Sequence, residues 1–304
     1  MEAATVEARP PVKRRSRGVS ERRLAAYMVG PSIAMIALVA AYPIGYAIWL
    51  SLNEYSVRVA GLSRWAGLSN YENVLSDPAF WEAFRTTFIF TAASVVLEVI
   101  IGLAMALAMH SAFKGQGLLR TVVLIPWAVL TVVTAIMWRS IFESPIGFVN
   151  SVFGTDTPWL GSEPEALIVM IIADVWKTAP FMALLLLAGL QVIPGDVYEA
   201  AKVDGATAWQ RFQKITLPLL MPALLVALIF RTLDALRIFD LPFVLTRGAF
   251  GTDTLSLISY QTFQQDRILG EGSAMAVLTF LIVMGVSFLY IRLVGGNLRG
   301  LAED

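Results

Sequence analysis

The chain has 304 residues, of which 57% are hydrophobic and 15% charged, with a mean hydropathy of +0.68 and a formal net charge of zero. A soluble domain of this length would still need a polar surface, whereas here the charges sit in gaps between long apolar runs, the pattern of a membrane protein. There is no cysteine and only one histidine, His110, which excludes disulfides, thiol catalysis and thiolate metal sites and argues against a histidine cluster or catalytic triad.

In chain order, residues 1–23 form a basic tail with Lys13, Arg14, Arg15, Arg17, Arg22 and Arg23. The apolar run behind it, Leu24–Leu52, is too long for a signal-peptide core of about 7–15 residues and predicts a retained transmembrane helix interrupted by Pro31 and Pro43. A crossing needs about 20 mostly apolar residues, and six segments meet that length: 24–52, 83–109, 121–142, 166–190, 217–238 and 272–291. Backbone groups facing lipid must be bonded internally and these runs do not alternate, so the expected fold is an all-α integral membrane domain over residues 24–304. With the N-terminus inside, the inside segments hold fourteen Lys and Arg against four outside (Arg58, Arg64, Arg247 and Arg267), which places both termini in the cytoplasm.

That orientation makes 191–216 a cytoplasmic loop between the fourth and fifth spans, read as two short helices. Asp196 caps the first, with Glu199 as its capping-box partner, and Gly205 takes the left-handed position after its end. Thr207 and Gln210 form a second capping box, and Pro218 opens the next membrane helix. Ala200, Ala201, Gly205 and Ala206 leave one surface without bulk, so a second backbone can approach it closely. Trp209, Phe212 and Ile215 give the second helix an apolar edge.

The fifth span carries Arg231, Asp234, Arg237 and Asp240 at intervals of three, a ladder of alternating sign. At 1.5 Å per residue from Pro218, Arg231 lies about 20 Å from the inner end. A central charge costs on the order of 2.5–3.5 kcal/mol in lipid, so the ladder should face protein or a wet cavity. Two readings stay open: hydrogen bonding to a polar solute, or an ion-pair clasp between helices. Asp174 and Lys177 repeat the pattern in the fourth span, and Glu98 in the second pairs across helices. Trp127, Trp138, Trp159 and Trp176 can stack on the face of a ring-shaped solute, although Trp is also enriched at membrane interfaces.

Glu199-Ala200-Ala201, Asp204-Gly205-Ala206, and then Ile215, Leu217 and Pro218 resemble the EAA loop of ABC importer permeases. The resemblance extends to the carbohydrate branch through Leu124-Ile-Pro-Trp127, Trp138-Arg139, Gly147 with Asn150, Trp159-Leu160, Asp174-Val-Trp-Lys177, Pro180-Phe181, Gly189-Leu190-Gln191, Phe239-Asp240 and Leu245-Thr246. It implies a MetI-like type I importer fold and a first-permease type of subunit in a bacterial inner membrane. It also implies a coupling role for the nine loop residues. The substrate-pathway candidates it suggests are Asp234, Arg237, Asp240, Arg231, Asp174, Trp176 and Asn150. The implied partners are a second permease, two copies of an ATPase, an extracytoplasmic sugar-binding protein and membrane lipid, with no nucleic acid. The expected substrate is a sugar, with a trehalose- or maltose-type disaccharide first. The chain itself is expected to bind no cofactor or metal and to have no catalytic residue; ATP and Mg belong to the ATPase. Arg247-Gly248-Ala249-Phe250 replaces the family's Gly-Gly-Pro turn, which implies a different bend in the outer loop. An ion-coupled secondary transporter would need coupling-ion carboxylates and broken helices. A membrane transferase would need convergent catalytic groups, and no Walker sequence is present.

Overall fold

The computed structural model describes residues 21–57, 63–111 and 114–300. Most of the expected basic tail, including Lys13, Arg14, Arg15 and Arg17, and also Arg58, lies outside the described residues. Five described helices are long and apolar enough to cross a membrane, and a bent pair supplies a sixth crossing when counted as one span. The chain forms two compact units, Met1–Tyr46 and Ala47–Asp304. The first contains most of α1 (Glu21–Ser51), which carries Pro31 and Pro43 and is apolar on all sides, as expected of a helix whose surroundings are lipid or protein rather than water.

In the second unit a short antiparallel hairpin, β1 (Asn53–Tyr55) and β2 (Ser63–Trp65), precedes α2 (Ser69–Ser76). Buried Asn70 donates to the Ser51 and Asn53 carbonyls at 2.8 and 2.9 Å, so one amide holds the chain leaving α1 against α2. The long helix α3 (Pro78–His110) starts cleanly because Asp77 accepts the Ala79 N–H at 2.9 Å and Pro78 occupies the first turn. At its far end Gln116 and Arg120 donate to the Met109 carbonyl at 2.8 and 3.0 Å, satisfying a group that the helix end leaves free.

The expected single span at 121–142 is instead two helices, α4 (Gln116–Ala128) and α5 (Thr131–Phe142), set at 89°. Pro126 removes a helical hydrogen bond in the last turn of α4, and Val129 and Leu130 then run extended. After α6 (Phe148–Phe153) comes α7 (Glu165–Val192), then α8 (Gly195–Val203) and α9 (Ala208–Arg211). A π turn, Phe212–Thr216, joins α9 to α10 (Leu217–Ala235) without a break. Pro218 therefore lies in the first regular turn but does not open a new helix, because the backbone reaches it already helical. Beyond α10 lie α11 (Asp240–Leu245), α12 (Leu255–Tyr260) with a π turn to Gln265, and α13 (Leu269–Gly300).

The centre of this unit is α3 lying along α7 in the same direction, with α10 returning beside both. Small residues set the approach. A Cβ on Gly102 would stand 2.7 Å from Met182 Cγ, and one on Gly189 would lie 2.9 Å from Leu220 Cδ1 and run into Ala223. Ala106, Met109, Met182, Ala183, Leu186, Leu190 and Leu220 fill the end nearer α8, whereas Phe90, Ala135, Met170, Ala173, Ala235 and Leu241 fill the opposite half.

Candidate functional site

Two places gather the residues singled out by the sequence. The first is the elbow of α8 and α9. The helix α8 ends in a complete Schellman motif: the Gly205 N–H donates to the Lys202 carbonyl at 3.0 Å and the Ala206 N–H to the Ala201 carbonyl at 2.9 Å. Gly205 has φ +78, where a side chain would be strained. The Thr207–Gln210 capping box is present in both directions, at 2.8 and 3.3 Å. The first cap differs from expectation. The helix starts at Gly195, so Asp196 stands inside the first turn and Pro194 holds the cap position without a side-chain bond. Asp196 still favours the positive end of the helix by its charge.

Glu199, Ala200, Asp204 and Gly205 are exposed and Ala201 and Ala206 half-buried; Ile215 and Leu217 lie half-buried where α9 runs into α10, and Pro218 is exposed. Nothing within 4 Å of Gly205 would meet a Cβ. Beside the small residues stand Val203 and Trp209, 88% and 63% exposed, an apolar surface that the other described residues leave uncovered. Trp209 stacks on Phe212 with ring centroids 5.4 Å apart. Two bonds that sequence reasoning missed make the elbow stiff. Tyr198 Oη and Thr216 Oγ1 lie 3.0 Å apart, tying α8 to the foot of α10, and Arg211 donates to the Ala206 carbonyl at 2.6 Å.

The second place is the middle of the unit. Arg231, 2% exposed, donates to Glu98 of α3, to Asp174 of α7 and, at 3.0 Å, to Asp234 one turn along its own helix. Thr178 donates to Glu98 at 2.6 Å. The signal for α3 was available: Thr91, Ser94 and Glu98 repeat at helical spacing and are all buried. The expected ladder is corrected here. Only the Arg231–Asp234 rung forms, because the helix stops at Ala235 and Leu236–Phe239 leave it. Arg237 instead donates to the Leu233 carbonyl at 3.1 Å, and among the described residues neither it nor Asp240 has an ion-pair partner. Arg231 thus clasps three helices at a buried point, while among the described residues the outer half of the ladder is free of ion pairs.

That free half lines a cavity of about 160 Å³ with Asp174, Lys177, Asp234, Arg237 and Asp240 around it. Five of the seven pathway candidates meet there, counting Arg231. Trp176 and Asn150 do not. Trp176 packs edge-on against Trp138 at 6.0 Å. Buried Asn150 accepts from Thr155 and Trp159 and donates to the Thr157 carbonyl, so it shapes the loop after α6. Trp127 likewise stacks on Phe181, at 5.7 Å, and Trp138 on Phe142.

The loop 246–254 bends through positive φ at Arg247, Gly248, Phe250 and Gly251, and is held by Thr252 to the Ala249 carbonyl at 2.7 Å and Thr254 to the Ile238 carbonyl at 3.0 Å. Asp253, part-buried within it, is pushed up to about 6, first by burial and then by the nearby Glu82 carboxylate.

The comparisons with known proteins agree with this geometry. Residues 98–299 match the family described as binding-protein-dependent transport system inner membrane component. The chain belongs to that family. The trehalose transport system permease protein SugA of Mycobacterium tuberculosis is 43% identical over 282 residues, covering 93% of this chain and 92% of the relative. The trehalose/maltose transport system permease protein MalF of Thermococcus litoralis is also 43% identical, over 278 residues, 90% of this chain and 94% of that one. Among solved structures, a chain of a bacterial ABC transporter involved in the import of the polysaccharide alginate superposes with a TM-score of 0.78 at 21% identity, over 89% of this chain and 94% of the other. The permease therefore has the fold of an ABC importer's membrane-spanning subunit, sits in an inner membrane, and is a transport component rather than an enzyme. Family membership sets aside the ion-coupled carrier and the transferase.

Proposed function

We propose that this permease forms half of the solute pathway of a sugar importer, with a disaccharide of the trehalose or maltose type as its substrate. The assignment of sugar is supported by the names of its two 43%-identical relatives. In this reading both termini are cytoplasmic, as the distribution of Lys and Arg suggests. A second permease completes the pathway, two copies of an ATPase bind ATP and Mg in the cytoplasm, and an extracytoplasmic binding protein delivers the sugar.

The observation that carries the reading is the elbow. Its backbone is locked by the Schellman motif and the capping box, yet Ala200, Gly205 and the apolar Val203 and Trp209 are exposed. Such a surface suits a protein partner, here the cytoplasmic ATPase. Closure of the ATPase pair pushes on Glu199–Ala206, and the Tyr198–Thr216 bond passes the displacement to the foot of α10. The other end of α10 carries Arg231 and Asp234 at the cavity, with Arg237 just beyond its last turn and Asp240 opening α11, so one helix runs from the site of energy input to the site of solute contact. The carboxylates of Asp234 and Asp240 and the Arg237 guanidinium suit the hydroxyls of a sugar, which both donate and accept.

Uptake of labelled sugars by the assembled transporter in vesicles tests this. ATP-dependent, binding-protein-dependent uptake of trehalose or maltose is expected, with Asp234→Asn raising the apparent KM. Uptake of neither disaccharide from a panel that includes them would overturn the substrate assignment.

A further inference from the structure

The break between α4 and α5 leaves carbonyls at the end of α4 with no helical partner, and inside a membrane each such group needs another donor. Lys177 provides it. Its ammonium donates to the Val129 carbonyl at 2.6 Å and reaches the Trp127 carbonyl at 3.5 Å. One turn further along α7, Phe181 stacks on the Trp127 ring at 5.7 Å with the planes 16° apart. The knee of the broken span is thus fixed to one face of α7 at two points, one polar and one aromatic. The same lysine lines the cavity of about 160 Å³, and Thr131, the first residue of α5, lines it too. Asp174 and Asp234 are the charges that act on Lys177 from the cavity side.

We propose that Lys177 is a latch that makes the third span responsive to whether the cavity is occupied. An ammonium has three protons to donate and no acceptor, so oxygens on either side of it compete for them. In the arrangement the structure shows, the Val129 carbonyl holds one of these protons and the knee stays closed on α7. A polyhydroxyl ligand seated against Asp234 and Arg237 presents oxygen acceptors within the same space. It draws the ammonium inward, releases the Val129 carbonyl, and lets the knee leave α7. The aromatic stack then becomes the remaining hold, and it yields more easily because it is not directional in the way a charged hydrogen bond is. Lys177 is in this account a positioning residue: it acts on the pathway through the knee. The latch rests on the reading that the cavity takes the sugar, but its mechanical half can be tested without any ligand.

The chain has no cysteine, so Val122→Cys and Ile136→Cys, two exposed positions on either side of the knee, can carry spin labels in the transporter assembled with cysteine-free partners. Pulsed electron resonance gives the distance between them without nucleotide, with and without trehalose-loaded binding protein. In the otherwise unaltered chain, trehalose is expected to move the distribution to a second, displaced peak. In Lys177→Met that peak should already be populated without sugar, at least about tenfold above the unaltered chain, and trehalose should add nothing. Lys177→Gln, which keeps a donor without the charge, should give an intermediate sugar-free population and serves if the Met variant fails to assemble. A sugar-free distribution in Lys177→Met, or failing that Lys177→Gln, identical to the unaltered chain overturns the latch. Sugar-free loosening in Lys177→Met with no trehalose response in the unaltered chain overturns only the link to occupancy, and Asp234→Asn with unchanged trehalose KM then shows that the cavity reading itself has failed.

Discussion

The two ends of α10 face opposite physical problems. At its foot, the elbow is held by local bonds, Ala200 and Gly205 are exposed, and the exposed Val203 and Trp209 await a surface that the described residues do not supply. At Arg231 the situation is reversed: a guanidinium and two carboxylates are sealed among three helices, and everything they need is already present. A surface completed by a partner tolerates substitution in the isolated chain and fails in the assembly. A buried charge cluster fails in the chain itself. Mutations at the two ends should therefore be told apart by what breaks first.

The largest effect is expected from Arg231→Met. It leaves Glu98 and Asp174 buried without their counter-charge, a loss of about 3–5 kcal/mol, so the folded permease should be nearly lost from membranes. Replacing Glu98 and Asp174 by Leu in the same chain should restore most of the protein, as measured by detergent-extracted yield and thermal unfolding. Next comes Gly205→Val. Its φ of +78 makes a side chain cost about 1–2 kcal/mol locally, too little to remove the protein, but the added bulk stands on the uncovered face. Membrane levels should stay within about twofold while uptake by the complete transporter falls more than about tenfold, a split that a purely structural defect does not give.

How much of this was legible follows from distance along the chain. The left-handed Gly205 and the capping box at Thr207–Gln210 are encoded within one stretch of six residues, so pattern alone located them. Arg231 and Glu98 are 133 residues apart, and nothing local says that they meet. The charges at 231, 234, 237 and 240 suggested a continuous ladder because helical spacing was extrapolated past Ala235, where the helix stops. The break at Val129–Leu130 was hidden for a related reason: Pro126 marked a weakness, but hydropathy runs smoothly across it, and the Lys177 ammonium that caps the bend lies 48 residues from Val129. The cap expected at Asp196 lies two residues earlier, at Pro194, within the usual scale of error for a helix end.

A smaller effect should separate the elbow's stiffness from its surface. Tyr198→Phe removes one hydrogen bond worth about 0.5–1.5 kcal/mol without touching the exposed face, so ATPase binding should persist while sugar moved per ATP falls about two- to threefold. Smallest is the pH response of the loop 246–254. Asp253 has its folded value raised from 3.8 to about 6, so the packed loop favours the protonated form. Loop stability should be highest below the ordinary value and decline as pH rises through about 6, by on the order of 1 kcal/mol once solvent screening of this half-buried group is allowed for. Hydrogen exchange over 246–254 should accelerate relative to the rest of the chain between pH 4 and 7, on the order of fivefold beyond the intrinsic rate change, and Asp253→Asn should abolish that difference.

The most direct measurement is a crosslink from the elbow. With no native cysteine in the chain, Ala200→Cys gives a single attachment point on the exposed side of α8. In an assembled transporter that is importing sugar, a short bifunctional reagent at this position should capture the ATPase, and capture should change between the ATP-bound and nucleotide-free states. Active import with no ATPase captured from Ala200, in either state, would contradict the claim that energy enters this permease through the elbow.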